Sequence, residues 1–176
     1  MIHYPNILII RGTGRNVGKT LTACKIITEL SKKHETVGIK ISPHFHPLNG
    51  AQQIIMQSEN FVVANEQDIA SNKDSSRMLQ AGAKKVYYIQ AKNNLLTSAL
   101  QPVLEAINSE VPVVIESGGL YDFIEPGLLL YVIGTEAKKK KAIRKNSNFI
   151  GLYNKDLRNY RWDLIQFNNG KFTFHD

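Results

Sequence analysis

The stretch from residue 7 to residue 22 constrains the fold of this chain more than any other. Residues 7–10 are four consecutive branched apolar residues, which predict a short strand buried on both faces. Residues 12–20, the glycine loop, hold three glycines and end in Gly-Lys-Thr. Apolar side chains then recur at helical spacing from Leu21 to Leu30. The stretch therefore predicts a strand, a tight loop and a helix in direct succession.

A glycine loop between a strand and a helix is typical of phosphate-binding sites. Its glycines let backbone N–H groups converge on a phosphate, and the helix N-terminus adds a positive dipole end. Lys19 would place its ammonium between the terminal phosphates, and Thr20 would offer its hydroxyl to magnesium. The loop is one residue longer than the common form, because its first glycine is residue 12 and not residue 13. We predict that it binds nucleotide phosphates through Gly12, Thr13, Gly14, Arg15, Asn16, Val17, Gly18, Lys19, Thr20 and Leu21.

Strands and helices alternate along the rest of the chain. Asp74 opens a helix with a plausible cap and Gly82 ends it, while residues 49–60 read as a short helix or an irregular flap. The Asn-Gly turn within residues 162–174 predicts a C-terminal hairpin. We expect one domain over residues 1–176, with a three-layer α/β/α fold and a mainly parallel sheet. The remaining expected strands are residues 36–41, 61–64, 85–89, 111–116, 128–133 and 149–153, and a further helix is expected at 95–107.

Two charged residues at strand ends are candidates for the chemistry, because ligands of parallel sheets bind outside the carboxyl ends of the strands. Lys40, near the end of the second strand, either meets a phosphate or carboxylate or is an edge lysine with a solvated head. Glu116 ends another strand and either holds magnesium together with Thr20 or is an acid exposed to water. His44 and His46 form an i, i+2 pair in the loop after the second strand, which predicts loop histidines more than a metal site.

Charge and composition narrow the class of partner. The net charge of +7 at pH 7 suggests anionic ligands, and residues 138–145 concentrate the basic side chains. That run predicts a solvated helix face, with an anionic ligand or a partner subunit as the alternative, and the lack of interleaved aromatics argues against nucleic acid. With no long apolar run, no signal peptide and the single cysteine Cys24, we expect a cytoplasmic protein without a membrane partner.

Two families resemble parts of residues 6–120. The glycine loop is similar to that of dethiobiotin synthetase in its glycine spacing and its Val-Gly-Lys-Thr ending, and residues 115–119 resemble that family's Val-Glu-Gly-Ala-Gly-Gly segment. Residues 39–46 resemble the Ile-Lys-His-x-His-His segment of the molybdopterin-guanine dinucleotide biosynthesis protein B family, although Phe45 shifts the second histidine. Residues 73–77 and 81–83 are similar to that family's Lys-Asp-Ser, arginine and Ala-Gly-Ala pattern.

The resemblance implies a phosphate-loop NTPase of the dimeric, signal-recognition and MinD-related class. It further implies a homodimer with the nucleotide between two subunits, magnesium, and cytoplasmic accessory or biosynthetic work. One departure is that Gly14 stands where MinD-type ATPases carry a lysine, and Arg15 lies beside it.

Three functional hypotheses follow. The first is a magnesium-dependent protein that binds ATP or GTP and hydrolyses it slowly, with Lys19, Lys40 and Asp74 as catalytic residues and Thr20 and Glu116 as metal ligands. In this hypothesis, Lys40 and Asp74 face a second ligand or the attacking water. The second is an ATP-dependent synthetase or small-molecule kinase, in which Lys40 holds a small anionic acceptor. The third is a nucleotide-gated partner of another biosynthetic protein, without significant catalysis.

Overall fold

The computed structural model describes residues 1–48, 50–135, 143–144 and 148–175. Short 3-10 turns precede or follow several of its elements, among them one at Asn154–Asp156. The strands and helices, in chain order, are β1 (His3–Gly12), α1 (Lys19–Leu30), β2 (Val37–Ser42), β3 (Gln52–Gln57), β4 (Phe61–Glu66), α2 (Asp74–Gln80), β5 (Lys85–Ala91), α3 (Leu96–Glu105), β6 (Val113–Glu116), β7 (Glu125–Ile133), β8 (Phe149–Tyr153), β9 (Ile165–Asn168) and β10 (Lys171–Phe174).

Eight of these strands form one mixed sheet, in the order β3-β4-β5-β2-β6-β1-β7-β8. The six strands from β5 to β8 in that order pair in parallel, whereas β3 and β4 pair antiparallel with their neighbours. β9 and β10 make a separate antiparallel hairpin. The predicted α/β class, mainly parallel sheet and C-terminal hairpin are therefore confirmed. β1 lies between β6 and β7, so the glycine loop that follows it lies at the carboxyl ends of these parallel strands.

The side chains of β1 alternate between two apolar clusters, one on each face of the sheet. Leu8 and Ile10 join the cluster formed with α1, α2 and the C-terminal hairpin. Ile7 and Ile9 join the cluster formed with α3. All four side chains are fully buried, because a central parallel strand is covered on both faces. The elements thus form three layers.

β7 runs parallel to β1 and comes close to the start of that strand, where the pairing between the two strands shifts register after Tyr4. A Cβ atom at Gly127 would overlap the backbone oxygen of Pro5 and lie 2.8 Å from its carbonyl carbon. Only glycine fits there without backbone movement, so this close approach depends on the residue type at position 127.

Three local predictions are wrong. Residues 52–57, expected as a helix or flap, are strand β3, because an edge strand paired with β4 needs no continuous apolar face. Asp74 does not cap α2; Lys73 occupies the cap position, and the Asp74 carboxylate contacts Lys40 instead. Trp162–Leu164 forms a 3-10 turn before the hairpin and not part of its first strand.

The basic run of residues 138–145 lies outside the described residues except at positions 143 and 144. Arg144 does not lie on a solvated face. Its guanidinium stacks 3.8 Å from the ring centre of Tyr121 and donates hydrogen bonds to the backbone oxygens of Tyr121 and Ile124. For this residue the prediction is wrong, since its charge helps to hold a neighbouring segment.

Candidate functional site

The glycine loop joins the carboxyl end of β1 to the first turn of α1. A Cβ atom at Gly12 would lie 2.7 Å from a methyl group of Val17, so the loop closes on itself only with glycine there. Asn16 and Gly18 adopt left-handed backbone angles, with φ of 55° and 103°. Position 14 has room for a side chain, because a Cβ there would only touch Val17 at 3.9 Å. Gly12, Asn16 and Gly18 therefore let the backbone of the loop curl around a central space.

Lys19 reaches back across this loop. Its Nζ atom donates a hydrogen bond to the backbone oxygen of Gly14 at 2.5 Å. No side chain caps the N-terminus of α1, which begins directly after Gly18. Loop and helix start open on a cavity of about 600 Å³, the loop cavity, which also touches Lys40, Asp74 and Glu116. An ammonium group and an uncapped helix start thus face one cavity, as anion binding requires.

Two contacts outside the predicted motif anchor the glycine loop. The backbone N–H of Gly134, just after β7, donates to Thr13 Oγ1 at 2.9 Å. Leu157, in the turn after β8, packs on the loop so closely that a Cβ at Gly18 would lie 2.5 Å from its Cδ1 atom. The spacing of the loop does not reveal either contact, because both partners lie more than a hundred residues further along the chain.

A chain of polar contacts links the four remaining candidate residues. Thr20 Oγ1 donates to Glu116 Oε2 at 2.8 Å, and Lys40 Nζ contacts Glu116 Oε1 at 2.7 Å and Asp74 Oδ2 at 2.6 Å. The side chain of Lys40 is only 16% exposed and that of Glu116 only 3%. The alternatives of an edge lysine with a solvated head and of a water-exposed acid are therefore wrong. The fold brings these residues together because β2, β6 and β1 are neighbours.

Burial and ion pairing act in opposite directions on Lys40 and Asp74. Burial alone would lower the pKa of Lys40, but attraction to Glu116 and Asp74 outweighs it and raises the pKa above the ordinary lysine value. Burial alone would raise the pKa of Asp74, but the hydrogen bond and charge of Lys40 outweigh it and lower that pKa. Both groups are therefore charged at neutral pH, so Lys40 acts as a fixed positive charge and not as a base.

The oxygens of Thr20 and Glu116 suit a hard cation. Magnesium prefers oxygen ligands, keeps several waters and commonly takes only one or two protein ligands beside substrate phosphates. In the part of the chain that the structure describes, no group of three or more His, Cys, Asp and Glu side chains could hold a metal. His44 and His46, with ring centres 6.4 Å apart, are thus without a third such ligand there. A metal at Thr20 and Glu116 would rely on phosphate and water for its remaining ligands.

Comparisons with protein families and curated proteins assign no function to this chain, so its function is inferred from the geometry of the site. No protein-family model matches this sequence, and no curated protein gives a match. Within the described residues, none of the helices has the length and apolar character needed to cross a bilayer.

A second cavity, of about 980 Å³, adjoins the loop cavity. Arg15, Lys40 and Asp74 border both cavities. The loop after β2 forms the wall between them, where Arg15 Nη2 lies 3.0 Å from His44 Nε2. Sequence reasoning missed most residues of the second cavity, among them Gln52 and Tyr88. The only signal for Tyr88 was its place one residue along from the buried Tyr87 in a predicted strand, which puts its side chain on the opposite face.

Proposed function

We propose that this chain is a phosphate-loop NTPase that binds ATP or GTP with magnesium and hydrolyses it slowly. The observation that carries the proposal is the glycine loop between β1 and α1, curled by Asn16 and Gly18 and crossed by the Lys19 side chain. It opens on a cavity of about 600 Å³, large enough for the phosphates of a nucleotide. A phosphate-loop NTPase fold also agrees with a central parallel strand leading into the loop.

The residues of the loop cavity have distinct roles in this proposal. Lys19 neutralises charge on the terminal phosphates, and the loop N–H groups and the start of α1 hold the phosphate oxygens. Thr20 and Glu116 would hold magnesium, which supplies further charge neutralisation as the terminal phosphoryl group leaves. Lys40, fixed between two carboxylates, and Asp74 face the space where an attacking water or a second ligand would stand.

The weak resemblance to the molybdopterin-guanine dinucleotide biosynthesis protein B family supports an accessory role in a biosynthetic step. One structural observation favours a second candidate, an ATP-dependent synthetase or small-molecule kinase. The second cavity lies beside the loop cavity and shares Lys40 and Asp74 with it, as a transfer reaction between two bound substrates requires.

Titration calorimetry with ATP and with GTP tests this function. We expect micromolar binding of one of them in the presence of magnesium and at least tenfold weaker binding in the presence of EDTA, because phosphate charge would then be unneutralised. GTP binding would favour the accessory role, and ATP binding the synthetase or kinase. No binding of either nucleotide would contradict the proposal and favour a protein that a partner must complete.

We also propose that the protein is a cytoplasmic homodimer, as the family resemblance implies. Edge strand β3 supports self-association, since Ile54 and Ile55 are 50% and 52% exposed on a strand that pairs with β4 on one side and with no described strand on the other. We expect light scattering to give twice the chain mass for the natural sequence and a single chain mass for the double variant Ile54→Lys, Ile55→Lys. A monomeric natural protein, or a variant that stays dimeric, would contradict association through β3.

A further inference from the structure

The second cavity has a wall that the nucleotide proposal does not use. It lies between the loop after β2, the start of β3 and the segment leading into α2. Gln52, the first residue of β3, lines it and is only 6% exposed. Gln52 Oε1 is buried and has no hydrogen-bond partner among the described residues. A buried amide oxygen without a partner carries a free-energy cost, which a bound hydrogen-bond donor would remove.

The orientation of the Gln52 amide is fixed by its neighbour Glu66. Gln52 Nε2 donates to Glu66 Oε2 at 2.7 Å, and a carboxylate accepts but does not donate, so Oε1 is the free end. Glu66 is itself held by the Ser75 hydroxyl at 2.6 Å and by the backbone N–H groups of residues 67 and 68. This network holds the Gln52 amide in the cavity wall, where the unpartnered Oε1 would favour a ligand with an N–H group.

The other side chains of the second cavity define the rest of the ligand. Lys40 is balanced by two carboxylates, whereas Arg15 contacts a histidine and Lys73 is an exposed lysine on the rim. Arg15 and Lys73 form no ion pair with a carboxylate among the described residues, so these two side chains favour an anionic group. Phe45 and Tyr88 add aromatic surface, which favours a planar ring.

We propose that the second cavity binds a small anionic nitrogen heterocycle, whose ring N–H or amino group donates to Gln52 Oε1 and whose phosphate or carboxylate faces Arg15 and Lys73. That this ligand acts together with a nucleotide in the loop cavity rests on the proposed function, whereas the binding of the ligand to the second cavity does not. Because Arg15 borders both cavities, the anionic group of this ligand lies on the side of the glycine loop.

The probes are AMP and GMP, which carry the ring, the N–H groups and the anion, together with two matched analogues. N6,N6-dimethyl-AMP lacks the exocyclic N–H of AMP, and adenosine lacks its phosphate. We expect calorimetry to detect binding of AMP or GMP. Removing either the base N–H groups or the phosphate from the probe that binds should weaken binding about tenfold, because a buried acceptor or a charge left without a partner costs about that much. For GMP, the matched analogues are N1,N2,N2-trimethyl-GMP, whose base has no N–H group, and guanosine.

Variants assign the binding to this cavity. Gln52→Met should remove the preference for the N–H probe, and Lys73→Ala should weaken the monophosphate severalfold, while Lys171→Ala, another exposed lysine, should change nothing. Lys73 lies on the surface, so Lys73→Ala should fold and still tests the inference if Gln52→Met fails to fold. Monophosphate binding that persists in Lys19→Ala while triphosphate binding is lost would separate the two sites. No binding of AMP or GMP, or binding indifferent to the analogues and to Lys73→Ala, would overturn the inference.

Discussion

Lys19→Ala is expected to lower the affinity for the magnesium nucleotide at least about 100-fold. Lys19 already points across the glycine loop to Gly14, where its ammonium would meet the oxygens of two phosphates. Two charge-assisted hydrogen bonds of roughly 1.5 kcal/mol each correspond to about two factors of ten in affinity. Titration calorimetry with the preferred nucleotide measures the loss directly.

The matched control is Lys25→Ala, which removes an exposed lysine from the same helix at a position outside the loop cavity. It changes the net charge equally, so it separates general electrostatic attraction from a contact with phosphate. We expect its affinity to stay within about twofold of the natural protein, because a distant surface charge is screened by salt. Full nucleotide affinity in Lys19→Ala would contradict the assignment of the phosphate site.

Gly127→Ala is expected to lower the free energy of unfolding by about 3 kcal/mol, the upper range for overpacking a close contact. The added methyl group would overlap the backbone oxygen of Pro5, and backbone atoms cannot rotate away as a side chain does. β1 and β7 must then separate near the point where their pairing shifts register. Urea unfolding followed by circular dichroism measures the change.

Gly151→Ala serves as the matched control for this strand glycine. A Cβ atom at Gly151 would lie 3.8 Å from the Cδ1 atom of Ile133, which is ordinary contact, so stability should change by less than about 1 kcal/mol. If both variants lost the same stability, the effect would belong to strand glycines in general and not to the close approach of Gly127 to Pro5.

The parts of the molecule that sequence predicts well depend on local spacing. The strand, loop and helix of residues 7–30 are encoded by neighbouring residues, as is the hairpin, whose turn residues Asn169 and Gly170 have the φ angles of 50° and 70° that an Asn-Gly turn requires. The alternation of strands with helices was enough to predict a mainly parallel sheet.

The parts that sequence predicts poorly depend on pairing over long distances. β3 was missed because its edge position leaves apolar and polar residues equally exposed, which removes the periodic pattern. Lys40 could be named as a candidate, but its two carboxylate partners lie 34 and 76 residues away, so only the order of strands in the sheet reveals the pairing. The acceptor role of Gln52 depends on Glu66 in the same way.

The antiparallel pair β3 and β4 separates the two proposed binding functions along the chain. The pair follows β2, and the chain then passes through α2 to β5, which lies between β4 and β2 in the sheet. Gln52 and Glu66 both lie on this pair, whereas the glycine loop follows β1. If both proposals hold, redesign of residues 52–66 would change the choice of second ligand and leave the phosphate site intact.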